Sequence, residues 1–393
     1  MTREPADAGL LGPGGRPLRI VLVVNEDWMF WSHRLALARA ARAAGAEVTV
    51  ATRVAAHGAR IAGEGFRVVP LAWRRGARNP FTEARAVAQL ARLYRRLAPD
   101  LVHHVGVKAA VYGGLAALYA RRPPQVHTLA GFGWVSTSSR ARARVLRVLV
   151  HAVFRHVLSS PRSHLVVQNP DDEAEVLRGR LFAADRVHLI RGSGVDSRHF
   201  VPAPEPAGPV TAVLASRLIR SKGVVEVVEA ARRLRARHAD VRVRLVGDPD
   251  PENPETVSAR ELNAWADAGI VEWTPRVDDM LEVWKAAHIG VLPSYREGMP
   301  RALLEAAACG RALVATDVPG CREIVRDGDN GILVPLHDVP ALADALARLA
   351  GDAELRRRMG RRSRERVEAH YSDEVIVAQM LSLYRRIAGR EAG

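Results

Sequence analysis

Two glutamates separated by seven residues stand around the start of a predicted helix. The stretch 294–323 reads SYREGMPRALLEAAACGRALVATDVPGCRE and follows an apolar run, Ile289–Leu292, that predicts a buried strand. Pro300 suits the first turn of a helix, because its ring fixes φ near the helical value. Glu297 precedes that turn and Glu305 lies in the second turn. Both carboxylates could therefore reach a ligand that lies across the helix start.

The backbone between these glutamates favours an anion. The amides near Gly298 and Met299 would point out of the helix N-terminus without intrahelical partners, and the helix macrodipole adds partial positive charge there. A phosphate alone would be repelled by two carboxylates, whereas a ligand with phosphates and several hydroxyls would use both the amides and the acids. The stretch therefore predicts a sugar-nucleotide site.

The order of features around this site resembles that of a known family. Glu297, seven residues and Glu305 are followed by a glycine turn, a short predicted strand at Ala312–Ala315, and the sequence Thr316-Asp317-Val318-Pro319-Gly320. The pattern resembles the donor site of retaining glycosyltransferases of family four, which have the GT-B fold. It is similar to the branch that adds N-acetylhexosamine units to polyprenyl-diphosphate-linked sugars for bacterial surface glycans. The resemblance runs through most of the chain.

The length of the chain and the alternation of its elements predict an α/β protein of two domains. At 393 residues the chain exceeds what one core usually organises. Apolar runs alternate with helical segments and predict parallel strands near Leu18–Val24, Glu47–Thr52, Arg67–Leu71, Leu101–His104, Gln125–Leu129, His164–Val167, Thr211–Ala215, Arg242–Gly247, Ile289–Leu292 and Ala312–Ala315.

The resemblance implies a domain plan for this α/β chain. It implies the GT-B arrangement, in which two Rossmann-like doubly wound domains face a cleft and a C-terminal helix crosses back to the first domain. We expect, in chain order, a disordered lead-in at 1–17, an acceptor-binding domain at 18–198 completed by 372–393, a linker at Val195–Pro209, and a nucleotide-sugar-binding domain at 199–371.

A basic pair joins the donor site that the resemblance implies. Arg217 and Lys222 lie in the segment SRLIRSKG at 216–223 and match the cations that relatives place on the donor diphosphate. Cations placed where a departing nucleoside diphosphate builds up charge stabilise the transition state more than the ground state. The implied donor-binding residues are Arg217, Lys222, Arg276, Glu297, Gly298, Met299, Pro300 and Glu305. The implied catalytic residues are His127, Glu297, Arg217 and Lys222.

The resemblance also implies contacts in the first domain. His127 occupies the position of a histidine that relatives place beside the donor sugar, although a lone histidine at a strand end is also typical of a structural residue. The loop Asn25–Trp31, before a helix predicted from Ser32, faces the acceptor in relatives. Lys108 could meet an acceptor phosphate or be a solvated lysine in a first helical turn. The implied acceptor-binding residues are Asn25, Trp28, His33 and Lys108.

The implied reaction needs no covalent nucleophile, cofactor or metal. In the family the acceptor hydroxyl attacks on the face that the diphosphate leaves, and a donor phosphate oxygen takes its proton, so the anomeric configuration is retained. A double displacement with Glu297 as nucleophile is the other possibility. Asp248-Pro249-Asp250 spells the Asp-x-Asp metal motif of a different glycosyltransferase fold. We interpret it as unrelated to metal binding, because its prolines predict an exposed loop and the basic pair already covers the diphosphate.

The net charge of +15 lies in the first half of the chain. Residues 1–200 hold 30 Lys and Arg against 14 Asp and Glu. Such a surface attracts nucleic acid or an anionic membrane. The segment 140–158, RARARVLRVLVHAVFRHVL, predicts a basic amphipathic helix, which suits an anionic leaflet or an ordinary surface position. We favour the membrane as partner, not nucleic acid, because a nucleic-acid binder would leave the motifs of the second half unexplained.

Other sequence features bear on the compartment. Two cysteines in a chain of this size predict a reducing compartment, and no signal-peptide core or membrane span is predicted. We therefore expect a cytoplasmic protein on the inner face of the plasma membrane.

Alternatives to this function stay open. A GT-B transferase with another nucleotide sugar and a soluble acceptor, or a UDP-sugar epimerase, would share the fold. A nicotinamide enzyme would need a glycine fingerprint after the first strand and an acid at the end of the second, where Thr52-Arg53 stands instead.

Overall fold

The described part of the chain comprises residues 9–73, 80–120, 122–129 and 152–391 in a computed structural model. Most of the basic amphipathic helix predicted at 140–158 lies outside these residues. Its described end contains a π-helical turn at Phe154–Leu158.

The strands of the described residues fall in two groups. In chain order they are β1 Arg19–Glu26, β2 Glu47–Arg53, β3 Arg67–Pro70, β4 Leu101–Val105, β5 Gln125–Thr128, β6 Ser163–Val167 and β7 Val187–Leu189, followed by β8 Val210–Ala215, β9 Val241–Val246, β10 Glu272–Thr274, β11 Ile289–Leu292, β12 Ala312–Thr316 and β13 Gly331–Val334.

Helices connect these strands. In chain order the described α-helices are α1 Asp27–His33, α2 Leu35–Ala43, α3 Gly58–Gly63, α4 Pro80–Leu97, α5 Val107–Leu118, α6 Pro170–Arg178, α7 Val224–Ala236, α8 Ala259–Asp267, α9 Leu281–Lys285, α10 Arg301–Ala308, α11 Cys321–Ile324, α12 Val339–Gly351, α13 Ala353–His370 and α14 Asp373–Glu391.

The strands form two parallel sheets, one in each of two compact units. Within the described residues the first sheet has the order β3-β2-β1-β4-β5-β6-β7 and the second has the order β10-β9-β8-β11-β12-β13. The first unit ends at Ser193 and takes up the chain again from Ile376, and the second unit runs from Gly194 to Val375. Both sheets are doubly wound, so ligands are expected outside the carboxyl ends of their strands. The predicted α/β fold class is confirmed.

The central strands are buried along their whole length because helices cover both faces of a parallel sheet. Every residue of β4, β5 and β6 is buried, as is every residue of β11 and β12. In the first unit α14 buries Ile376, Met380 and Tyr384 in the same core as β1 and β2. The sequence analysis predicted neither β7 nor β13, which are strands of three and four residues at the edges of the two sheets.

Three expectations about local structure are wrong. Residues 9–17 are not a disordered lead-in: Leu10 is 1% exposed, its N–H donates to the carbonyl of Ala44, and Arg16 forms a bidentate ion pair with Asp100 at 2.6 and 2.7 Å. The segment Val195–Pro209, predicted as the interdomain linker, lies within the second unit, and its residues Val195 and Phe200 are buried in the core of that unit.

The third correction concerns the segment after β1. The helix there begins at Asp27 rather than near Ser32, and the non-helical φ of −131° at Arg34 separates it from α2. An acid in the first turn complements the macrodipole, and the Asp27 side chain also accepts backbone hydrogen bonds from the loop after β2. The aromatic residues Trp28 and Trp31 are therefore helical rather than part of an open loop.

Candidate active site

The predicted donor residues lie on loops at the carboxyl end of the second sheet. Arg217 and Lys222 follow β8, and Glu297 follows β11, which is the neighbour of β8 in the sheet. Arg276 follows β10, and Glu305 lies within α10 after the Glu297 loop. Parallel neighbouring strands bring these loops to one edge because their carboxyl ends point the same way.

The loops after β8 and β11 interlock through their backbones. The carbonyl of Ser221 accepts the backbone N–H of Tyr295 at 2.9 Å and the hydroxyl of Ser294 at 3.0 Å. Gly223 has a φ of +76°, and a Cβ at that position would lie 2.1 Å from the carbonyl oxygen of Pro293. Only glycine therefore permits this approach, which holds the lysine loop against the glutamate loop.

Lys222 and Glu297 form an ion pair across these two loops. The Nζ of Lys222 contacts Oε1 of Glu297, and the two side chains are 22% and 9% exposed. A pair with so little exposure is screened weakly by solvent and keeps both heads in fixed positions. The structure thus brings together one predicted cation and one predicted acid.

Arg217 is held by a residue that the sequence analysis had set aside. Its Nη1 lies 2.6 Å from Oδ2 of Asp250, which is largely buried, and the Asp250 N–H donates to the hydroxyl of Thr256. The expectation of an exposed Asp-Pro-Asp loop is therefore wrong for Asp250. The other acid, Asp248, accepts the backbone N–H of Arg276 at 3.0 Å, which places Arg276 beside the same loop.

Both acids of the Asp-x-Asp segment therefore contact groups of the protein: Asp250 pairs with Arg217, and Asp248 accepts the N–H of Arg276. In the part of the chain that the structure describes, there is no cluster of three or more histidine, cysteine or acidic side chains arranged to hold a metal ion.

Glu305 lies on the first turns of α10 and is mostly buried. Its Oε1 accepts Nε of Arg301 at 2.6 Å, and its Oε2 accepts the indole N–H of Trp284 at 3.4 Å. The arginine is one turn earlier in the same helix, so the pair is local. The carboxylate of Glu305 is therefore held by Arg301 and Trp284, not by the Lys222–Glu297 pair.

The backbone at the start of α10 is shaped by a turn after β12. Pro300 is the N-cap residue of this helix, so Gly298 and Met299 lie just before it. Gly320 has a φ of +81°, and a Cβ there would lie 2.5 Å from the carbonyl oxygen of Gly298. The Thr316 hydroxyl donates to the Ser294 carbonyl. The segment 316–320 therefore packs directly on the glutamate loop.

A polar cluster beside the glutamate loop was missed from the sequence. The Tyr295 hydroxyl donates to Oε1 of Glu226 at 2.6 Å, and the ring of His337 contacts Tyr295 edge-on with centroids 4.3 Å apart. Burial, aided by the Glu226 carboxylate, raises the pKa of Tyr295. Glu226 lies in the first turn of α7, far from Tyr295 in the chain, so no spacing rule could have linked them.

The predicted acceptor residues lie at the carboxyl end of the first sheet. The side chain of Asn25 contacts α5: its Oδ1 accepts the backbone N–H of Ala109 at 3.1 Å. Lys108 in the first turn of α5 forms an ion pair with Glu83 at 3.2 Å and lies 5.1 Å from the centroid of the Tyr112 ring. Asn25 and Lys108 are therefore brought together around the start of α5.

The two other predicted acceptor residues lie on α1. The rings of Trp28 and His33 meet edge-on with centroids 6.4 Å apart. The hydroxyl of Ser32 donates to the Trp28 carbonyl and lies 2.6 Å from Nδ1 of His33. Both rings are half-buried, so each keeps an accessible part.

The expectation that His127 touches a donor sugar is not met by this structure. Its side chain is 0% exposed, stacks on His104 with centroids 4.9 Å apart, and meets the Phe182 ring edge-on. Burial, with a smaller contribution from His164, lowers the pKa of His127 to about 3, so the imidazole is neutral. His127 is the third of the four residues of β5, and every residue of this strand is buried.

Family models match both units. Residues 19–160 match the glycosyl transferase 4-like family, and residues 209–352 match the family of glycosyl transferases group 1. The second match spans every described strand of its sheet, β8 to β13, whereas the first spans β1 to β5.

Individual relatives support the same assignment. The chain is 26% identical over 337 residues to the N,N'-diacetylbacillosaminyl-diphospho-undecaprenol alpha-1,3-N-acetylgalactosaminyltransferase of Campylobacter jejuni, a match over 82% of this chain and 86% of that protein.

Solved structures show the same fold. The sucrose-phosphate synthase of Thermosynechococcus elongatus matches with a TM-score of 0.77 at 23% identity, over 95% of this chain and 100% of that one. HepE of Anabaena in complex with UDP matches with a TM-score of 0.73 at 17% identity, over 93% and 99%. With its two matched domains, the chain is a glycosyltransferase of the GT-B fold, with a glycosyl transferase 4-like domain followed by a group 1 domain.

Proposed function

We propose that this glycosyltransferase moves an N-acetylhexosamine unit from a UDP-sugar to a polyprenyl-diphosphate-linked saccharide, with retention of the anomeric configuration, in the synthesis of a bacterial surface glycan. The name of the Campylobacter relative, an N-acetylgalactosaminyltransferase for a diphospho-undecaprenol-linked sugar, supports the choice of donor sugar and acceptor. The complex of HepE with UDP supports the choice of nucleotide.

The observation that carries the proposal is the Lys222–Glu297 pair on two interlocked loops. A donor diphosphate brings negative charge, which Lys222 and Arg217 would bind, while the amides near Gly298 and Met299 would bind a phosphate oxygen. Glu297 would then be free to accept hydrogen bonds from hydroxyls of the transferred sugar. The pairing keeps the ammonium group in place before the donor arrives, so little reorganisation is needed when charge develops.

The other predicted donor residues surround this centre. Glu305 would accept hydrogen bonds from the ribose hydroxyls, Pro300 would set the direction of the helix start, and Arg276 would lie toward the base. The partners of Glu305, Arg301 and Trp284, orient its carboxylate in the absence of a donor.

The chemical step exchanges one bond at the anomeric carbon for another. The bond from that carbon to the diphosphate oxygen breaks, a bond to the acceptor hydroxyl oxygen forms on the same face, and a donor phosphate oxygen receives the hydroxyl proton. Lys222 and Arg217 would stabilise the charge that builds on the leaving diphosphate. His127 is assigned no contact with the donor, because its ring is buried.

We place the enzyme at the cytoplasmic face of the membrane that holds its lipid-linked acceptor. In the described residues, none of the helices combines the length and the apolarity that crossing a bilayer requires. Attachment would instead depend on the basic segment 140–158 and on the acceptor itself.

The test is a donor and acceptor panel. Purified protein is incubated with UDP- and GDP-linked hexoses and N-acetylhexosamines, and with polyprenyl-diphosphate-linked sugars in detergent or in anionic vesicles, and the products are identified by mass. We expect a product only with UDP-N-acetylhexosamine, and faster transfer in anionic vesicles at low salt. Isomerised donor without acceptor, or transfer only to soluble sugars, would reject the proposal.

A glutamate variant locates the site in the same assay. Glu305→Ala removes the proposed ribose contact, and we expect a roughly 100-fold loss of kcat/KM, as is typical when a charged hydrogen bond to a substrate is removed. Glu282→Ala is the matched control, because Glu282 is 74% exposed and pairs only with Lys285 on the surface of α9. Equal activity of the two variants would contradict the assigned donor site.

A further inference from the structure

Two buried polar atoms without hydrogen-bond partners face each other in the first unit. Oδ1 of Asp27 and Nδ1 of His57 are both shielded from solvent, and neither has a hydrogen-bond partner. They lie 3.9 Å apart, which is beyond hydrogen-bond distance and too close for an intervening water. Burying a carboxylate oxygen without a hydrogen bond costs free energy, so this pair of atoms needs a physical explanation.

The second oxygen of Asp27 has a structural role that fixes the carboxylate. Its Oδ2 accepts the backbone N–H groups of Ala55 and His57, each at 2.7 Å. Asp27 is the first residue of α1 after β1, and His57 caps α3 after β2. The aspartate therefore ties together the loops that follow two neighbouring strands, and it leaves Oδ1 directed at the imidazole.

The pair lies where a doubly wound sheet binds ligands. In this sheet β2 and β3 lie on one side of β1, and β4 with the later strands lies on the other side. The direction of the strand order therefore reverses between β1 and β4, which is the topological switch point. Ligands of such sheets bind outside the carboxyl ends of the strands at this point. Asp27 and His57 stand on the β2 side of that position.

The two ring nitrogens of His57 have different surroundings: Nδ1 faces Asp27, and Nε2 is open to a ligand. A movement of about 1 Å would bring Nδ1 to hydrogen-bond distance of Oδ1, and only a protonated Nδ1 can donate to a carboxylate. Nε2 has no partner and is not buried, and the side chain is 11% exposed. With the ring proton on Nδ1, Nε2 offers a lone pair that accepts a hydrogen bond.

The neighbours of His57 suit a sugar. The Trp31 ring lies 6.1 Å from the imidazole centroid at an angle of 36°, and the Arg60 guanidinium lies 4.3 Å from the centroid of that indole. An aromatic surface packs against the apolar face of a pyranose, and a hydrogen-bond acceptor beside it binds a hydroxyl. The nearby Arg53 is paired with Glu26 at 3.2 Å, so this cation is already engaged with a carboxylate.

We propose that His57 binds the acceptor saccharide by accepting a hydrogen bond at Nε2 from one of its hydroxyl groups, and that Asp27 is the positioning residue that orients the imidazole. This inference rests on the proposed function, because it concerns the acceptor of that reaction. It adds His57 and Asp27 to the acceptor residues expected from the sequence. The hydrogen bond that Asp27 forms with His57 when the acceptor binds satisfies the two unpaired atoms together.

The kinetic test separates acceptor binding from donor binding. The probe is a synthetic polyprenyl-diphosphate-linked N-acetylhexosamine with UDP-N-acetylhexosamine as donor. His57→Phe should raise the acceptor KM about 10-fold, the effect of one lost hydrogen bond, and leave the donor KM unchanged. His57→Gln should restore part of the affinity, because its amide oxygen can accept the same hydrogen bond. His370→Gln, an exposed histidine of the second unit, is the control and should match the wild type.

Asp27→Asn tests the positioning role without removing the backbone contacts. The amide oxygen can accept the N–H groups of Ala55 and His57, while its NH₂ would face Nδ1 and move the ring proton to Nε2. We expect an acceptor KM about 10-fold higher and an unchanged thermal midpoint. An unchanged KM for both His57→Phe and Asp27→Asn would overturn the proposal.

A spectroscopic readout does not depend on turnover. In ¹⁵N-histidine-labelled protein, with His57 identified by the signal lost in His57→Gln, we expect the Nδ1–H form in the wild type and the Nε2–H form in Asp27→Asn. An Nε2–H form in the wild type overturns the role of Asp27. If the wild type transfers to no lipid-linked sugar, the proposed function fails, and the tautomer still decides whether the pair is organised as described.

Discussion

The polar groups at the carboxyl edge of the second sheet differ in kind from those inside the central strands of the first sheet. On the second sheet, charged side chains from separate segments pair with each other, as Lys222 does with Glu297 and Arg217 with Asp250. In the first unit, the polar groups on the central strands are neutral and deeply buried, as with His103 and His104 of β4. The comparison shows that the second unit pairs charged groups at the edge of its sheet, whereas the first unit keeps neutral histidines inside its central strands.

The first unit holds its histidines in a neutral network. His103 contacts the Tyr384 hydroxyl at 2.5 Å and the Thr128 hydroxyl at 2.7 Å, and His104 contacts the Tyr94 hydroxyl at 2.9 Å. Burial lowers the pKa values of both histidines well below the usual range. Such a network stabilises the fold only while the rings stay unprotonated, whereas the ion pairs of the second unit need charged partners.

The largest expected difference between the two units appears on acidification. Below pH 6.5 the unfolded chain protonates its histidines, while the folded unit keeps His103, His104 and His127 neutral, the last with a pKa of about 3. The unfolded state then binds more protons, so stability is complete above pH 6.5 and falls as the pH is lowered. The three histidines together lower the free energy of unfolding by about 4 kcal/mol for each pH unit below 6.5, because each contributes roughly 1.4 kcal/mol.

Hydrogen exchange measures this difference directly. Between pH 7 and pH 5, after correction for intrinsic rates, peptides from β4 and β5 should lose protection much more than peptides from β11 and β12. His127→Gln should make the loss in the first unit shallower by about a third, since it removes one of the three histidines. A parallel loss in both units would contradict the neutral network.

The next effect concerns the charged edge of the second sheet. Lys222→Ala removes the cation and leaves the Glu297 carboxylate, 9% exposed, without its partner. We expect a 10²–10³-fold loss of kcat, the range seen when one group that stabilises developing charge is removed. Steady-state kinetics with UDP-N-acetylhexosamine measures it.

Lys285 supplies the matched control for this variant. It is one of only three lysines in the chain, is 36% exposed, and pairs with Glu282 within α9. Lys285→Ala should retain at least half of the wild-type kcat, because an exposed ion pair contributes little. If both lysine variants lose activity equally, the charged edge has no special role.

The smallest effect tests the backbone that supports the glutamate loop. Gly320→Ala places a Cβ 2.5 Å from the Gly298 carbonyl oxygen and should displace the start of α10. We expect a roughly 10–100-fold loss of kcat/KM, because a displacement of about 1 Å near reacting groups has effects of that size. Gly328→Ala is the control: its φ is +74°, and nothing lies within 4 Å of the added Cβ.

The control separates the contact from the backbone conformation. Both substitutions impose a positive φ on alanine, which costs about 1 kcal/mol of stability. Only Gly320→Ala should also lose activity. Equal kinetics for the two variants would mean that the turn after β12 does not shape the donor site.

Periodicity predicted the fold well because buried parallel strands read as short, largely apolar runs that alternate with helical segments. β11 was placed correctly to the residue as Ile289–Leu292, and the central strands of the first sheet were placed within two residues. The edge strand β7 was missed because Val187–Leu189 is too short to show a pattern. The lead-in was misjudged because burial of one side chain, Leu10, and an ion pair to Asp100 hold a segment rich in glycine and proline.

The candidate site was only partly readable from the sequence. Lys222 and Glu297 were both expected at the donor site, and the structure pairs them. Asp250 was set aside because a loop with two prolines predicts exposure, yet it is buried under Arg217. His127 was expected beside the donor sugar, and its burial depends on His104 and Phe182, which lie elsewhere in the chain.

The sequence by itself determined the two doubly wound units, the loops that carry the predicted donor residues, and the family resemblance, because apolar period and motif spacing act over a few neighbouring residues. The tertiary structure alone decided which groups meet across the sheets. Asp27 and His57 are thirty positions apart and come into contact only because β1 and β2 are neighbouring parallel strands, which places the loops after them side by side. Contacts of this kind depend on strand order, and no local pattern encodes strand order.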